Sequence, residues 1–228
     1  MPRTSRVDIG GEYYHVINRA NGRFQIFNNK EDYQLFEKLL EEMKELFSVE
    51  VLAYVVMPNH WHLLIRTKQD KDLSSFMSRL TNAHTRKVHA LTKTNGSGHL
   101  YQGRYKSFLV EGDIYLRTLI KYIERNPVRA KLVKSCENWQ WSSAYRSLCG
   151  TTKEKKLIDT APAELPEDYS RWINLPQTEQ EVESIRNSVN KGKPYGGEGW
   201  VEKMITKYSL QSSLKGSGRP KKIRPHKV

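Results

Sequence analysis

Cysteine is nearly absent from this sequence: among 228 residues only Cys136 and Cys149 carry a thiol. Two isolated thiols are too few for a disulfide framework or a thiolate zinc site. No apolar run approaches the ~20 residues that span a bilayer, and the N-terminus has no signal-peptide core. Mean hydropathy is −0.71, although 37% of the residues are hydrophobic, which argues against disorder throughout. We therefore expect a soluble, cytoplasmic protein with one substantial core.

Acidic residues are missing from two long stretches. None occurs between Leu73 and Val110 or after Glu202, and the chain as a whole has a formal net charge of +13. Scattered lysines often form no more than a solvated face, but long stretches without carboxylates attract phosphates and make binding salt-dependent. Because no membrane segment is expected, the charge favours nucleic acid as the partner, and we expect an association with the nucleoid.

Hydrophobic periodicity predicts an α+β protein. The predicted strands are 12–19, 49–56, 61–66 and 104–111, and the predicted helices are 30–47, 73–91 and 113–126. Asn29 and Asp72 are the expected helix caps, and Pro127 ends the last helix. The order β-α-β-β-α-β-α is typical of a ferredoxin-like, RRM-like antiparallel sheet with helices on one face. The additional helix would supply residues to the other face, left open for a ligand.

The composition changes after about residue 148. We predict a catalytic domain at 1–148, a linker at 149–177 and a helical, basic C-terminal extension at 178–228 that binds DNA and ends in a disordered tail. The expected helices of the extension are 178–190 and 198–209.

The His60-Trp61-His62 tripeptide is the first candidate for chemistry. On a strand, alternate side chains share a face, so the two histidines project together and Trp61 projects the other way. Two imidazoles can bind one divalent cation. By itself this pattern is more often a pair of surface or hydrogen-bonded histidines. His84, His89 and His99 have no paired partner and are expected at the surface.

The helix at 113–126 adds a nucleophile. Tyr122 and Asn126 are one turn apart at the edge of its apolar stripe, and Tyr115 is on the same edge. The simpler interpretation makes Tyr122 a boundary residue and Asn126 a helix terminator. Together with two histidines and a basic surface, however, a metal could polarise a phosphodiester that a tyrosine attacks.

Several motifs resemble one known family. Residues 57–64 (MPNHWHLL) resemble the HUH motif, histidine–bulky apolar–histidine, of the IS200-like Y1 transposases. Residues 14–19, 101–106 and 121–130 are similar to the REP-associated tyrosine transposase branch. The similarity covers about residues 3–148, with its motifs in the same order.

The resemblance implies a metal-dependent single-stranded DNA endonuclease and strand transferase that acts beside DNA hairpins, as a monomer or homodimer. Tyr122 would be the nucleophile and form a 5′-phosphotyrosine, and His60, His62 and Asn126 would bind Mg²⁺ or Mn²⁺. Basic residues on the second helix, at the fourth strand and in the tail are the expected DNA contacts: Arg79, Arg86, Lys87, Arg104, Lys106, Arg219, Lys221 and Lys222.

One motif departs from the family. REP-binding members characteristically carry Gly-Thr-Trp-Tyr where this chain has residues 11–14, Gly-Glu-Tyr-Tyr, so recognition of the usual REP tetranucleotide does not carry over. Three alternatives stay open: a domesticated DNA- or RNA-hairpin-binding protein that does not cleave, a nuclease that activates water, and Tyr115 as the nucleophile. The sequence also leaves open whether Tyr122 serves its own chain's histidines or a neighbour's.

Overall fold

A four-stranded antiparallel sheet is the centre of the fold in this computed structural model, which describes residues 6–94, 96 and 98–214. The strands are β1 (Tyr13–Arg19), β2 (Glu50–Met57), β3 (His60–Arg66) and β4 (Lys106–Val110). Their order across the sheet is β2-β3-β1-β4, with every pair antiparallel. The predicted ferredoxin-like arrangement is confirmed.

Nine α-helices are found in the described part of the chain. They are α1 (Lys30–Leu46), α2 (Asp72–Thr92), α3 (Ile114–Glu124), α4 (Asn126–Arg129), α5 (Ser143–Cys149), α6 (Thr152–Lys155), α7 (Tyr169–Asn174), α8 (Glu179–Lys191) and α9 (Glu198–Lys207). The described residues contain no helix that is long and apolar enough to cross a membrane.

The two long N-terminal helices are capped differently. Asn29 caps α1 in a reciprocal capping box with Asp32, as its sequence predicts. The predicted cap of α2 is wrong, because Asp72 is already the first helical residue and Lys71 before it is left-handed with φ 70°. The backbone N–H groups of Leu73 and Ser74 instead donate to the carboxylate of Asp8, more than sixty residues earlier in the chain.

The two faces of the sheet bury different sets of residues. On one face, α1 and α2 pack over a core that includes Trp61, Phe36 and Leu80. On the other face, α3 lies against β2 and β3, and α8 lies against β4. The face that the sequence left open is therefore partly covered by helices, one of them from the C-terminal extension.

The segment predicted as a linker, 149–177, carries α6 and α7 and packs against the sheet domain. Leu157, Ala163 and Ile173 are buried. The Asp159 carboxylate accepts the N–H of Val51 at 2.7 Å and pairs with Lys44 at 2.8 Å. The tail residues Arg219, Lys221 and Lys222 lie outside the described residues.

His84 is fully buried on α2, so its predicted place at the surface is wrong. The indole N–H of Trp61 donates to the Tyr101 hydroxyl at 3.0 Å, and that hydroxyl is 2.7 Å from His84 Nδ1, where its own hydrogen can be donated to the ring. Burial lowers the pKa of His84 to about 3 from its usual 6.5. The folded protein thus keeps this ring neutral over a pH range in which the unfolded chain protonates it.

We expect stability to fall as the pH decreases from 6.5 towards 3, because the unfolded state binds the proton that folded His84 excludes. Between pH 7 and pH 5, one such group removes about 2 kcal/mol of unfolding free energy. Urea titrations should therefore show a pH dependence smaller by that amount in His84→Gln, whose amide oxygen can still accept from Tyr101. The exposed His99, changed to Gln, is the control, and equal pH dependence in all three proteins would contradict this account.

Candidate active site

The alternation of β3 places His60 and His62 on the face covered by α3. Their ring centroids are 5.2 Å apart, and Trp61 between them points into the opposite core. Across the β1–β3 ladder, His60 is opposite Arg19 and His62 is opposite Ile17. The predicted orientation of the histidine pair is confirmed.

Tyr122 lies beside His62, one member of this pair, in the same chain. Its ring is buried and approaches His62 edge-on, with centroids 6.2 Å apart. The Arg129 guanidinium stacks on the Tyr122 ring at 4.1 Å and donates to the Tyr122 carbonyl at 2.6 Å. Tyr115, the rival nucleophile, packs instead edge-on against Tyr195 of the C-terminal extension, at 5.3 Å.

His15 is a third histidine of the site, fully buried, and the sequence did not single it out. Its Nε2 is 2.9 Å from Nδ1 of His62, and the two rings stack with centroids 5.1 Å apart. Its other flank meets the rings of Phe108 and Tyr122. The two-residue period of β1 places His15 on the same face as Ile17. Only the β1–β3 register, in which Ile17 is opposite His62, shows that this is the face of the histidine pair.

The three rings of the site are neutral at physiological pH. Burial lowers the pKa of His15 to about 3 and that of His60 to about 4, where the Arg19 charge adds to the effect. Burial also lowers the pKa of His62 well below 6.5. Neutral imidazoles keep a lone pair available, so the histidine pair fits the donor set of a divalent metal.

Asn126 closes the C-terminus of the tyrosine helix. The predicted helix 113–126 ends at Glu124, and Asn126 begins the short α4. Its side-chain nitrogen donates to the carbonyls of Tyr122 and Ile123, both at 3.1 Å, which leaves the amide oxygen as the group that could accept or ligate. Within residues 6–94, 96 and 98–214, no three His, Cys, Asp or Glu side chains form a metal-binding group.

Residues 169–197, here called the belt, hold α3 along its length. At the C-terminal end of α3, Arg125 donates to the carbonyls of Ile173 and Asn174, and Tyr169 donates to the buried Glu124 carboxylate. In its middle, Gln177 donates to the carbonyl of Thr118 at 3.0 Å. The buried Ile185 of α8 belongs to the same apolar cluster as Leu116 and Ile120. The belt therefore fixes the helix that carries Tyr122.

A groove of about 730 Å³ is lined by the C-terminal end of β1, where Arg19 is opposite His60 in the ladder. We call it the basic groove, since its lining includes Arg6, Arg19, Arg104, Lys106 and Lys191. A second hollow of about 690 Å³ shares part of this lining and continues it to the polar face of α2. Arg104 precedes β4 rather than lying on it, which corrects the sequence interpretation. Arg79, Arg86 and Lys87 are exposed on α2 but are not among the residues that line either hollow.

Buried histidines under a tyrosine-bearing helix, on a ferredoxin-like sheet, define a class of protein. The chain belongs to the IS200-like transposase family, whose sequence model, described as "Transposase IS200 like", matches residues 10–126, just over half of the chain. The predicted family is confirmed.

The relatives belong to the predicted branch. The chain is 26% identical over 139 residues to a REP-associated tyrosine transposase of Escherichia coli K12. This alignment covers 61% of this chain and 79% of that protein. It is also similar to the structure of a REP-associated tyrosine transposase bound to a REP hairpin, with a TM-score of 0.54, 26% identity and coverage of 64% and 84% of the two chains. The family match ends before the belt begins.

Burial raises the pKa of Glu124 to about 7, against the lowering effect of hydrogen bonds from Ser143 and Tyr169. Tyr169→Phe removes one of these bonds and leaves a buried carboxyl oxygen without a partner. We expect the free energy of unfolding to fall by about 1–3 kcal/mol, measured by urea denaturation. Tyr145→Phe, also half-buried and with no side-chain hydrogen bond among the described residues, is the matched control. Equal stability of the two variants would show that the belt contact adds nothing.

Proposed function

We propose that this protein is a metal-dependent single-stranded DNA endonuclease and strand transferase that acts beside DNA hairpins. The observation that carries the proposal is the approach of the Tyr122 ring to His62, at 6.2 Å between centroids, on a sheet face shared with His60. Its family membership supports transposition chemistry.

The reaction exchanges one phosphodiester bond for another. The Tyr122 hydroxyl oxygen forms a bond to the scissile phosphorus, the bond from phosphorus to the 3′ oxygen breaks, and the departing oxygen takes up a proton as a 3′-hydroxyl. The 5′ side stays joined as a phosphotyrosine until a 3′-hydroxyl attacks it in reverse. Because each step conserves a phosphodiester, no nucleotide cofactor is required.

His60 and His62 are the proposed metal ligands, with the Asn126 amide oxygen as the third. A Mg²⁺ or Mn²⁺ held by these residues would supply Lewis-acid polarisation of the phosphate, and the imidazole donors favour Mn²⁺ on grounds of ligand softness. Arg129, stacked on the Tyr122 ring, keeps a positive charge against the side chain whose hydroxyl loses its proton in the proposed reaction.

The basic groove is the proposed path of the strand that enters the site. Its lining includes Arg19, which is opposite His60 in the ladder, and Lys191 at the end of α8. The hairpin is proposed from the REP hairpin bound by the structural relative. Glu12 and Tyr13, where REP-binding members carry other residues, contact Tyr208 and Arg66, so the target sequence is proposed to differ.

Labelled hairpin oligonucleotides with single-stranded flanks should form a denaturant-resistant covalent adduct with the protein in Mn²⁺ but not in EDTA. Tyr122→Phe removes the attacking oxygen, and His60→Ala removes a proposed metal ligand, so we expect both to abolish the adduct on a denaturing gel. Tyr115→Phe is the matched control and should retain it, because that ring packs on Tyr195.

Each alternative gives a different result in this assay. Cleavage that survives Tyr122→Phe would indicate a water nuclease, and an adduct lost in Tyr115→Phe alone would identify the other tyrosine. Tight hairpin binding without cleavage by the wild type, in flanks taken from around its own gene, would favour the domesticated binding protein.

Binding of single-stranded DNA should depend on salt through the basic groove. Arg104→Ala and Lys191→Ala should each weaken binding by a similar factor for all sequences and lower the slope of log K against log salt by about 0.7–1. Fluorescence anisotropy at several salt concentrations measures this slope. Lys38→Ala, on α1 beyond the opposite sheet face, should leave it unchanged. The groove assignment fails if all three variants behave alike.

A further inference from the structure

Each candidate metal ligand has one ring nitrogen held by a neighbouring side chain. Nδ1 of His60 is 2.7 Å from Oδ1 of Asn59, and Nδ1 of His62 is 2.9 Å from Nε2 of His15. A neutral imidazole carries one hydrogen and one lone pair, and only the lone pair can bind a metal. The group at Nδ1 therefore decides whether Nε2 is a ligand.

Asn59 determines which ring nitrogen of His60 carries the hydrogen. Its side-chain nitrogen donates to the Arg23 carbonyl at 3.1 Å, which turns its oxygen towards the imidazole. An amide oxygen can only accept, so Nδ1 of His60 must carry the ring hydrogen. The lone pair of His60 is then on Nε2.

His15 supplies the acceptor for His62. Its ring is fully buried, and its Nδ1 has no hydrogen-bond partner within the described residues. When His62 donates from Nδ1, His15 Nε2 accepts and the Nε2 lone pair of His62 is available. In the reverse arrangement Nε2 of His62 carries the hydrogen and cannot bind a metal. Nδ1 of His15 lacks a partner in both arrangements, as an N–H in the first and as a lone pair in the second.

We propose that Asn59 and His15 are positioning residues that hold His60 and His62 as Nδ1–H tautomers, with both Nε2 lone pairs presented to one divalent metal. This inference rests on the metal site of the proposed function. It assigns a role to a buried histidine of β1 and to the asparagine of the β2–β3 turn, neither of which touches the substrate in this scheme. Such supporting contacts are typically worth 10- to 100-fold in metal affinity.

The tautomers are measured first, on the full-length metal-free protein. Long-range ¹H–¹⁵N spectra of histidine side chains distinguish a protonated from an unprotonated ring nitrogen, and resonances are assigned by single substitution of each histidine. We expect Nδ1–H at both His60 and His62. A hydrogen on Nε2 of either ring in the wild type would overturn the proposal for that ring.

Calorimetric titration with Mn²⁺ measures the consequence. We expect His15→Phe and Asn59→Leu each to weaken binding about 10- to 100-fold. His15→Gln, whose amide oxygen can accept from His62, should recover most of the affinity. His84→Gln, a buried histidine changed on the opposite sheet face, should bind as the wild type does. Thermal unfolding in EDTA shows that the variants are folded.

The outcomes separate this inference from the proposed function. If His15→Phe and Asn59→Leu bind Mn²⁺ as tightly as the wild type, the positioning roles are refuted while the metal site stands. If the wild type binds no Mn²⁺, the metal step of the proposed function fails, and the ring-nitrogen spectra still decide whether Asn59 and His15 set the tautomers.

Discussion

The pleat of β3 is the constraint on which the core and the site both depend. Trp61 is fully buried on one face, where its indole N–H donates to Tyr101, and that anchor forces His60 and His62 onto the other face. A slip of one residue would exchange the two sets, placing an indole under the tyrosine helix and two imidazoles in the apolar core. The packing that stabilises the sheet therefore also sets the position of the candidate ligands.

The second requirement of the candidate site is that Tyr122 stays beside His62. In this structure Tyr122 meets His15 and His62 of its own chain, and the belt contacts α3 at Thr118 and Glu124 and also Arg125 just after it. The candidate site thus combines two contributions: the sheet, which lies within the family match, and the belt, which lies beyond it.

Short-range patterns predicted the parts of this site that depend on neighbours in sequence. Periods of two and 3.6 residues predict the alternation around Trp61 and the position of Tyr122 at the edge of its helix. They also predict the order of strands and helices along the chain. His15 was missed because its role exists only through the register of β1 against β3. Asp8 at α2 and the belt at α3 were missed for a related reason: polar contacts between distant segments leave no period in a sequence, and 59 residues separate Gln177 from Thr118.

The order of synthesis gives the belt a further consequence. A ribosome completes the histidine strand and the tyrosine helix well before Gln177 and Tyr195, and domains begin to fold while the chain is still growing. During that interval the sheet can form, but α3 lacks its contacts with the belt and packs on β2 and β3. Tyr122, the proposed nucleophile, is therefore the last part of the candidate site to gain all its contacts, and a chain interrupted before the belt would hold it without those contacts, through the packing of α3 on the sheet.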